Sequence, residues 1–199
     1  MADISLCATE ICKIHNHTLV TRKTRAAQWI IWIPSAWPLC TLNTGRALKA
    51  NEVSTAGGVI RDFSGRWLSG FGMMIGSCSV MLAELWGLYQ GILLAWNLGI
   101  RWLKIETDSL CATQMFAKQL VLTNEFSFLI SAIKEYLNKD CQVSISHVYR
   151  VANSVSNYMA NLIFSLPIGL TLYPSPPIGA SSLLLYDAYR VSTPRSVVL

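Results

Sequence analysis

Apolar and polar positions change period along the chain, and the changes mark a succession of strands and helices. Cys40 to Thr44 is a short apolar run, and Gly57 to Phe63 and Arg66 to Ile75 read as two further strands. Asp62-Phe63-Ser64-Gly65 is the turn between the last two, and Gly45 to Ser54 is expected to be a polar loop after the first. Three strands with short connections predict an antiparallel meander. From Ser79 to Gly99 the period becomes helical: Leu82, Leu85, Trp86, Tyr89, Leu93 and Trp96 recur at helical steps, and Gly99 is the stop. Leu103 and Ile105 then alternate with Lys104 and Glu106, a fourth strand over Arg101 to Glu106 that runs into a helix start at Asp108-Ser109.

Helices are expected from Asp108 to about Lys118 and, behind an Asn124 cap, from Asn124 to Asn138. Gln142 to Val148 alternates as a fifth strand, and Asn153 to Phe164 is a last helix. The order β-β-β-α-β-α-α-β-α predicts an α/β fold, a mixed five-stranded sheet with three antiparallel strands first and helices packed on it. Trp86, Tyr89 and Trp96 at helical spacing are expected in the core, with Trp67 and Trp102 as packing residues on strands. Residues 1–37, with Trp29, Trp32 and Trp37, read as a poorly specified leader. Residues 38–165 form the predicted domain, and 166–199, with prolines at 167, 174, 176 and 177, an irregular tail.

Composition narrows the partners only slightly. The net charge of +5 over 199 residues permits a polyanion without requiring one. A charged fraction of 14% against 52% hydrophobic residues predicts a sticky surface. Ala26 to Leu42 is broken by Pro34 and Pro38, and Met81 to Ile100 carries Glu84, Gln90 and Asn97, so neither is expected to span a membrane. Six cysteines without a repeated spacing, and no signal peptide, predict reduced thiols in an intracellular protein of nucleus or cytoplasm. Cys7, Cys12, His15 and His17 are the one group of soft ligands, but their spacing matches no usual zinc pattern; a frayed segment is expected, with zinc as the alternative.

Several spaced motifs carry more. Leu42-Asn43-Thr44, Ala56-Gly57-Gly58-Val59-Ile60-Arg61-Asp62, Gly65 with Trp67, Gly70-Phe71, Ala83-Glu84-Leu85, Glu106-Thr107-Asp108-Ser109 and His147-Val148-Tyr149-Arg150 with Ala152-Asn153 occur in this order. Together they resemble the type 1 RNase H domain, in the form of the plant subgroup related to non-LTR retrotransposons, from about Pro38 to Ile163. The resemblance implies an RNase H-like fold, an RNA/DNA hybrid or another nucleic acid as partner, and a monomer. It also implies a magnesium-dependent hydrolase in which four acids hold two ions, because paired divalent cations repel unless anionic ligands offset them.

Carried over residue by residue, the helix acid is Glu84 and the strand-end acid is Asp108, the implied catalytic and metal-binding pair. The other two positions are degenerate. The family's Leu-Asn-Thr-Asp-Gly-Ala is here Leu42-Asn43-Thr44-Gly45-Arg46-Ala47, so Gly45 stands where an acid contacts both ions. The fourth acid, in Arg-Glu-Ala-Asn-x-x-Ala-Asp, has become Asn157. His147 matches the family's mobile histidine, an assistant in proton transfer or product release, against the alternative of a structural strand-end residue. Asn51 matches a substrate-contacting asparagine, and Lys49 beside it either reaches a phosphate or is a solvated loop cation. Arg46 could bring a fixed cation to the site, unless strand alternation points it away. Glu106, two residues from Asp108, is a candidate for rescue of metal binding. The expectation is hydrolysis lost or strongly impaired in a nucleic-acid-binding pseudoenzyme. An active hybrid ribonuclease with an altered metal site, or a non-catalytic interaction module or relic, are the alternatives.

Overall fold

The computed structural model describes residues 25–49, 52–117 and 126–198. Asn51, the Cys7/Cys12/His15/His17 group and the Asn124 cap lie outside them. Strand β1 (Arg25–Ile30) precedes the meander β2 (Cys40–Leu48), β3 (Val53–Arg61) and β4 (Trp67–Ser77). Helix α1 (Val80–Asn97), strand β5 (Trp102–Thr107), helices α2 (Leu110–Ala117) and α3 (Ser127–Leu137) and strand β6 (Gln142–His147) follow. A 3-10 turn (Arg150–Asn153) leads into α4 (Ser154–Leu162), and then come β7 (Gly169–Tyr173), α5 (Ile178–Ala188) and β8 (Thr193–Val198).

The main sheet has the order β6-β5-β2-β3-β4-β7, with β2 antiparallel to β3 and parallel to β5. Local chemistry explains its sharpest corners. Between β3 and β4, the Asp62 carboxylate accepts from Ser64 N at 2.8 Å and Arg66 N at 3.0 Å, and Gly65 takes φ +83°. At α1, the Ser79 hydroxyl accepts from Leu82 N at 3.3 Å, and the helix ends at Gly99 in a left-handed φ of +77°.

Helices α1 and α3 cover one face, where Leu42, Ile60, Phe71, Leu85, Leu88, Ile105, Leu129 and Ile133 form the core. Trp86 and Tyr89 pack against this core, edge-on to one another, as their spacing predicts; Trp96 meets only Tyr136 edge-on, outside the core cluster, and Trp102 is 44% exposed. Helix α4 lies on the other face against β2 and β3. It approaches so closely that a Cβ at Gly57 would collide with the backbone at Ala160, while one at Gly58 would strike the Phe71 ring, which explains the glycine pair in β3.

Several sequence expectations are corrected. The first strand runs through Gly45 to Leu48, because Gly45 pairs with Gly57 and Arg46 with Ala56, and a glycine amid strand partners does not end the ladder. The main sheet has six strands, since β7 adds antiparallel to β4, and regular structure continues past Leu166 through α5 and β8. Part of the leader is also regular: β1 pairs antiparallel with β8, Ile30 opposite Thr193, in a separate two-stranded ribbon. Cys40 and Cys141 are free thiols, whereas Cys111 is disulfide-bonded, against the expectation of reduced cysteines throughout. Among the described residues, no helix is long and apolar enough to cross a membrane.

Candidate active site

Parallel pairing brings the motifs together. Thr44 sits opposite Thr107, so Gly45 and Asp108 follow at the same level on neighbouring strands, and Thr107 also faces His147 of β6. Helix α1 supplies Glu84 from one side and α4 supplies Asn157 from the other. The two faces are joined by Asn153, whose Nδ2 donates to the Thr44 carbonyl at 2.7 Å and to Asp108 Oδ1 at 3.2 Å.

Each surviving acid is held by a cation of this chain. Arg46 Nε lies 3.3 Å from Glu84 Oε1, and Arg150 Nη1 lies 3.7 Å from Asp108 Oδ2. Strand alternation therefore points Arg46 at the site. Its Nε is buried and lacks an aligned hydrogen-bond acceptor, so it acts on Glu84 mainly through charge. Burial pushes the Glu84 carboxyl up to about 7; Asp108 adds to the rise, and Arg46 and Arg150 oppose it.

The space beside Gly45 is filled. A Cβ placed there would stand 2.7 Å from Asn157 Oδ1, 3.0 Å from Ser156 Oγ and 3.4 Å from Asn153 Nδ2. Asn157 has its Nδ2 directed to the Arg150 carbonyl at 3.4 Å, while its Oδ1, Asn153 Oδ1 and Thr44 Oγ1 are buried without partners. Orphaned buried oxygens are uncommon in folded proteins, and one of these three, Asn157 Oδ1, stands at the position of the missing side chain. All are uncharged. Among the described residues no group of three or more His, Cys, Asp or Glu side chains is arranged to hold a metal ion.

Glu106 is committed elsewhere. Its Oε2 accepts from Trp32 Nε1 and from Asn43 Nδ2, each at 2.9 Å, and its Oε1 lies 2.7 Å from Lys104 Nζ. His147 is exposed and meets Tyr149 edge-on, with ring centroids 5.7 Å apart. Lys49, past the end of β2, has its ammonium 4.4 Å from the centroid of the Phe164 ring. Sequence reasoning gave no role to Arg150 or Asn153. Their signal was available, because both lie within the His147 to Asn153 motif, one helical turn or two before Asn157.

Comparisons with known proteins agree with this assembly. A family model described as reverse transcriptase-like matches residues 44–163, more than half of the chain. An Arabidopsis thaliana protein named "Putative ribonuclease H protein" is 34% identical over 195 residues, covering 96% of this chain and 32% of its own length. The chain thus spans about a third of that relative. Among solved structures, RNase H1 from the archaeon Halobacterium salinarum superimposes with a TM-score of 0.59 at 21% identity, over 64% of this chain and 98% of that one. LC11-RNase H1, solved in complex with RNA/DNA hybrid, gives a TM-score of 0.56 at 15% identity over 62% of this chain and 94% of that one. The family match over more than half of the chain, with a fold like that of solved RNase H structures, leads to one conclusion: the chain belongs to the reverse transcriptase-like family of RNase H-type domains.

Proposed function

We propose that this chain is a degenerate RNase H domain that binds RNA/DNA hybrid or a related nucleic acid as a monomer inside the cell, with hydrolysis lost or strongly impaired. One observation carries the proposal: the position of the first-strand acid is Gly45, and the space it would use holds the uncharged Asn157 amide. Two-metal hydrolysis needs anionic ligands to bring two divalent ions together at the reacting phosphate. Here Glu84 and Asp108 are the only acids at the implied ligand positions, and each is already neutralised, by Arg46 and Arg150. The residues present do not fit two magnesium ions, and no catalytic step through them is derived.

The same geometry weighs against rescue by Glu106, whose oxygens are engaged with Trp32, Asn43 and Lys104. For His147 the proposal leaves a contact role with Tyr149, because a proton shuttle has no metal-activated water to serve. Lys49, past the end of β2, and Asn51, by its place in the sequence, are the proposed backbone contacts.

The test is magnesium-dependent cleavage of an RNA/DNA hybrid by the purified chain beside the double variant Gly45→Asp with Asn157→Asp. Absence of cleavage in the original, with cleavage in the variant, is the expected result. Cleavage by the original at a rate typical of the family, abolished by Asp108→Asn, would establish the active enzyme with an altered metal site instead.

A further inference from the structure

We infer that Arg46 and Arg150 stand where divalent cations would otherwise mediate, and that they hold a backbone phosphate of the bound nucleic acid directly, so that binding at this site needs no divalent metal. The inference rests on the nucleic-acid-binding reading above and deepens it. Its basis is the charge of the site in the chain alone. Two carboxylates, Glu84 and Asp108, face two guanidiniums, and the ion pairs of 3.3 and 3.7 Å leave no net negative charge to attract a divalent ion.

Neither arginine is consumed by its partner. The Arg46 side chain keeps 26% of its surface exposed and that of Arg150 61%, and the Arg150 contact at 3.7 Å is longer than a hydrogen bond. A guanidinium carries five donors in a planar fork, of which one carboxylate takes at most two, and the remainder suit a phosphate. The two cations also approach from different elements. Arg46 projects from β2 beside Glu84, and Arg150 from the turn before α4 beside Asp108. A phosphate at the mouth of the site would meet one cation from each element. Asn153 supports this arrangement by tying Asp108 to the β2 carbonyl of Thr44, which fixes the carboxylate that Arg150 faces.

The experiment measures the affinity of the full chain for a short labelled RNA/DNA hybrid by fluorescence anisotropy, in magnesium and in EDTA at matched ionic strength. Equal affinity in the two buffers is expected. Arg150→Gln should weaken binding by about tenfold and flatten the dependence of affinity on salt by about one phosphate contact. Because Arg46→Ala alone would leave the buried Glu84 without its partner and endanger the fold, Arg46→Ala is combined with Glu84→Gln. This neutral pair should also lose about tenfold, whereas Glu84→Gln alone should keep or strengthen binding. Affinity that depends on magnesium, or arginine variants that bind as tightly as the original, would overturn the inference while leaving hybrid binding intact. No detectable binding in either buffer at low salt would overturn the nucleic-acid reading and this inference together.

Discussion

Arg46 is the residue that changes the meaning of its neighbours. In the family pattern its position is a glycine, and restoring the acid at Gly45 alone would leave a guanidinium 3.3 Å from Glu84. Restoring both acids, Gly45→Asp with Asn157→Asp, therefore gives a site with a fixed cation still beside one ligand. Adding Arg46→Gly removes it, and the triple variant should cleave hybrid at least about tenfold faster than the double in magnesium, corresponding to about 1.4 kcal/mol of transition-state stabilisation. Single-turnover cleavage compares them, and equal rates would show that Arg46 is electrostatically silent. The pH dependence of stability has its origin in the same place. Burial raises the Glu84 pKa from 4.5 to about 7, so the folded state binds this proton more tightly than the unfolded chain does. The associated stability is complete below about 4.5 and is lost as pH rises through about 7, an effect on the order of a few kcal/mol. Urea midpoints at pH 5 and pH 8 should differ for the original chain and converge for Glu84→Gln. The loss of the acids was legible in the sequence, because a missing carboxylate is a matter of identity. Where Arg46 points was not, since alternation names a face only once the strand is known to continue, and Gly45 gave every local sign of ending it.

At the scale of elements, the three-strand meander, α1 and the β5 and β6 strands follow from local period and turn chemistry. What local pattern could not reveal is the attachment of the flanks, because strands β1 and β8 pair across nearly the whole chain, and neither carries a signal naming its partner. Their attachment runs through buried polar groups. Arg61 is 1% exposed, lies against the Trp32 ring at 3.3 Å, donates to Asn43 Oδ1 at 2.7 Å and pairs with Asp187 of α5 at 2.5 Å. Trp32 in turn donates to Glu106 at 2.9 Å. A buried guanidinium left without its carboxylate is costly, which is why this network joins the leader, the sheet and the tail helix. Asp187→Asn should lower unfolding free energy by about 3 kcal/mol in urea titrations. A loss under about 1 kcal/mol would mean that apolar contacts alone hold α5. Expressed alone, the proposed 38–165 unit keeps Arg61 but loses both the Trp32 ring it lies against and the Asp187 carboxylate it pairs with.

The whole molecule is organised so that the site's charges cancel within the chain, and this has a consequence distinct from any effect on catalysis. A ligand that binds only the folded state stabilises it in proportion to the logarithm of its occupancy, so an ion bound at the centre of the sheet would raise the melting temperature of the entire domain. Two carboxylates at the implied ligand positions, each faced by a guanidinium, and the uncharged Asn157 amide beside Gly45 offer magnesium no net attraction. The melting temperature should accordingly be the same in millimolar magnesium and in EDTA at matched ionic strength. The triple variant Gly45→Asp, Arg46→Gly, Asn157→Asp gathers four carboxylates and removes one cation, which makes the apo site self-repelling. It should melt lower than the original in EDTA and recover in magnesium, by several degrees for a domain of this size if the ion binds well above its dissociation constant. Differential scanning fluorimetry of both proteins in both buffers reads all four values at once. Stabilisation of the original by magnesium would place an ion in the site despite the arginines and would reverse the functional conclusion. A triple variant indifferent to magnesium would instead show that the sheet ends no longer converge closely enough to hold one.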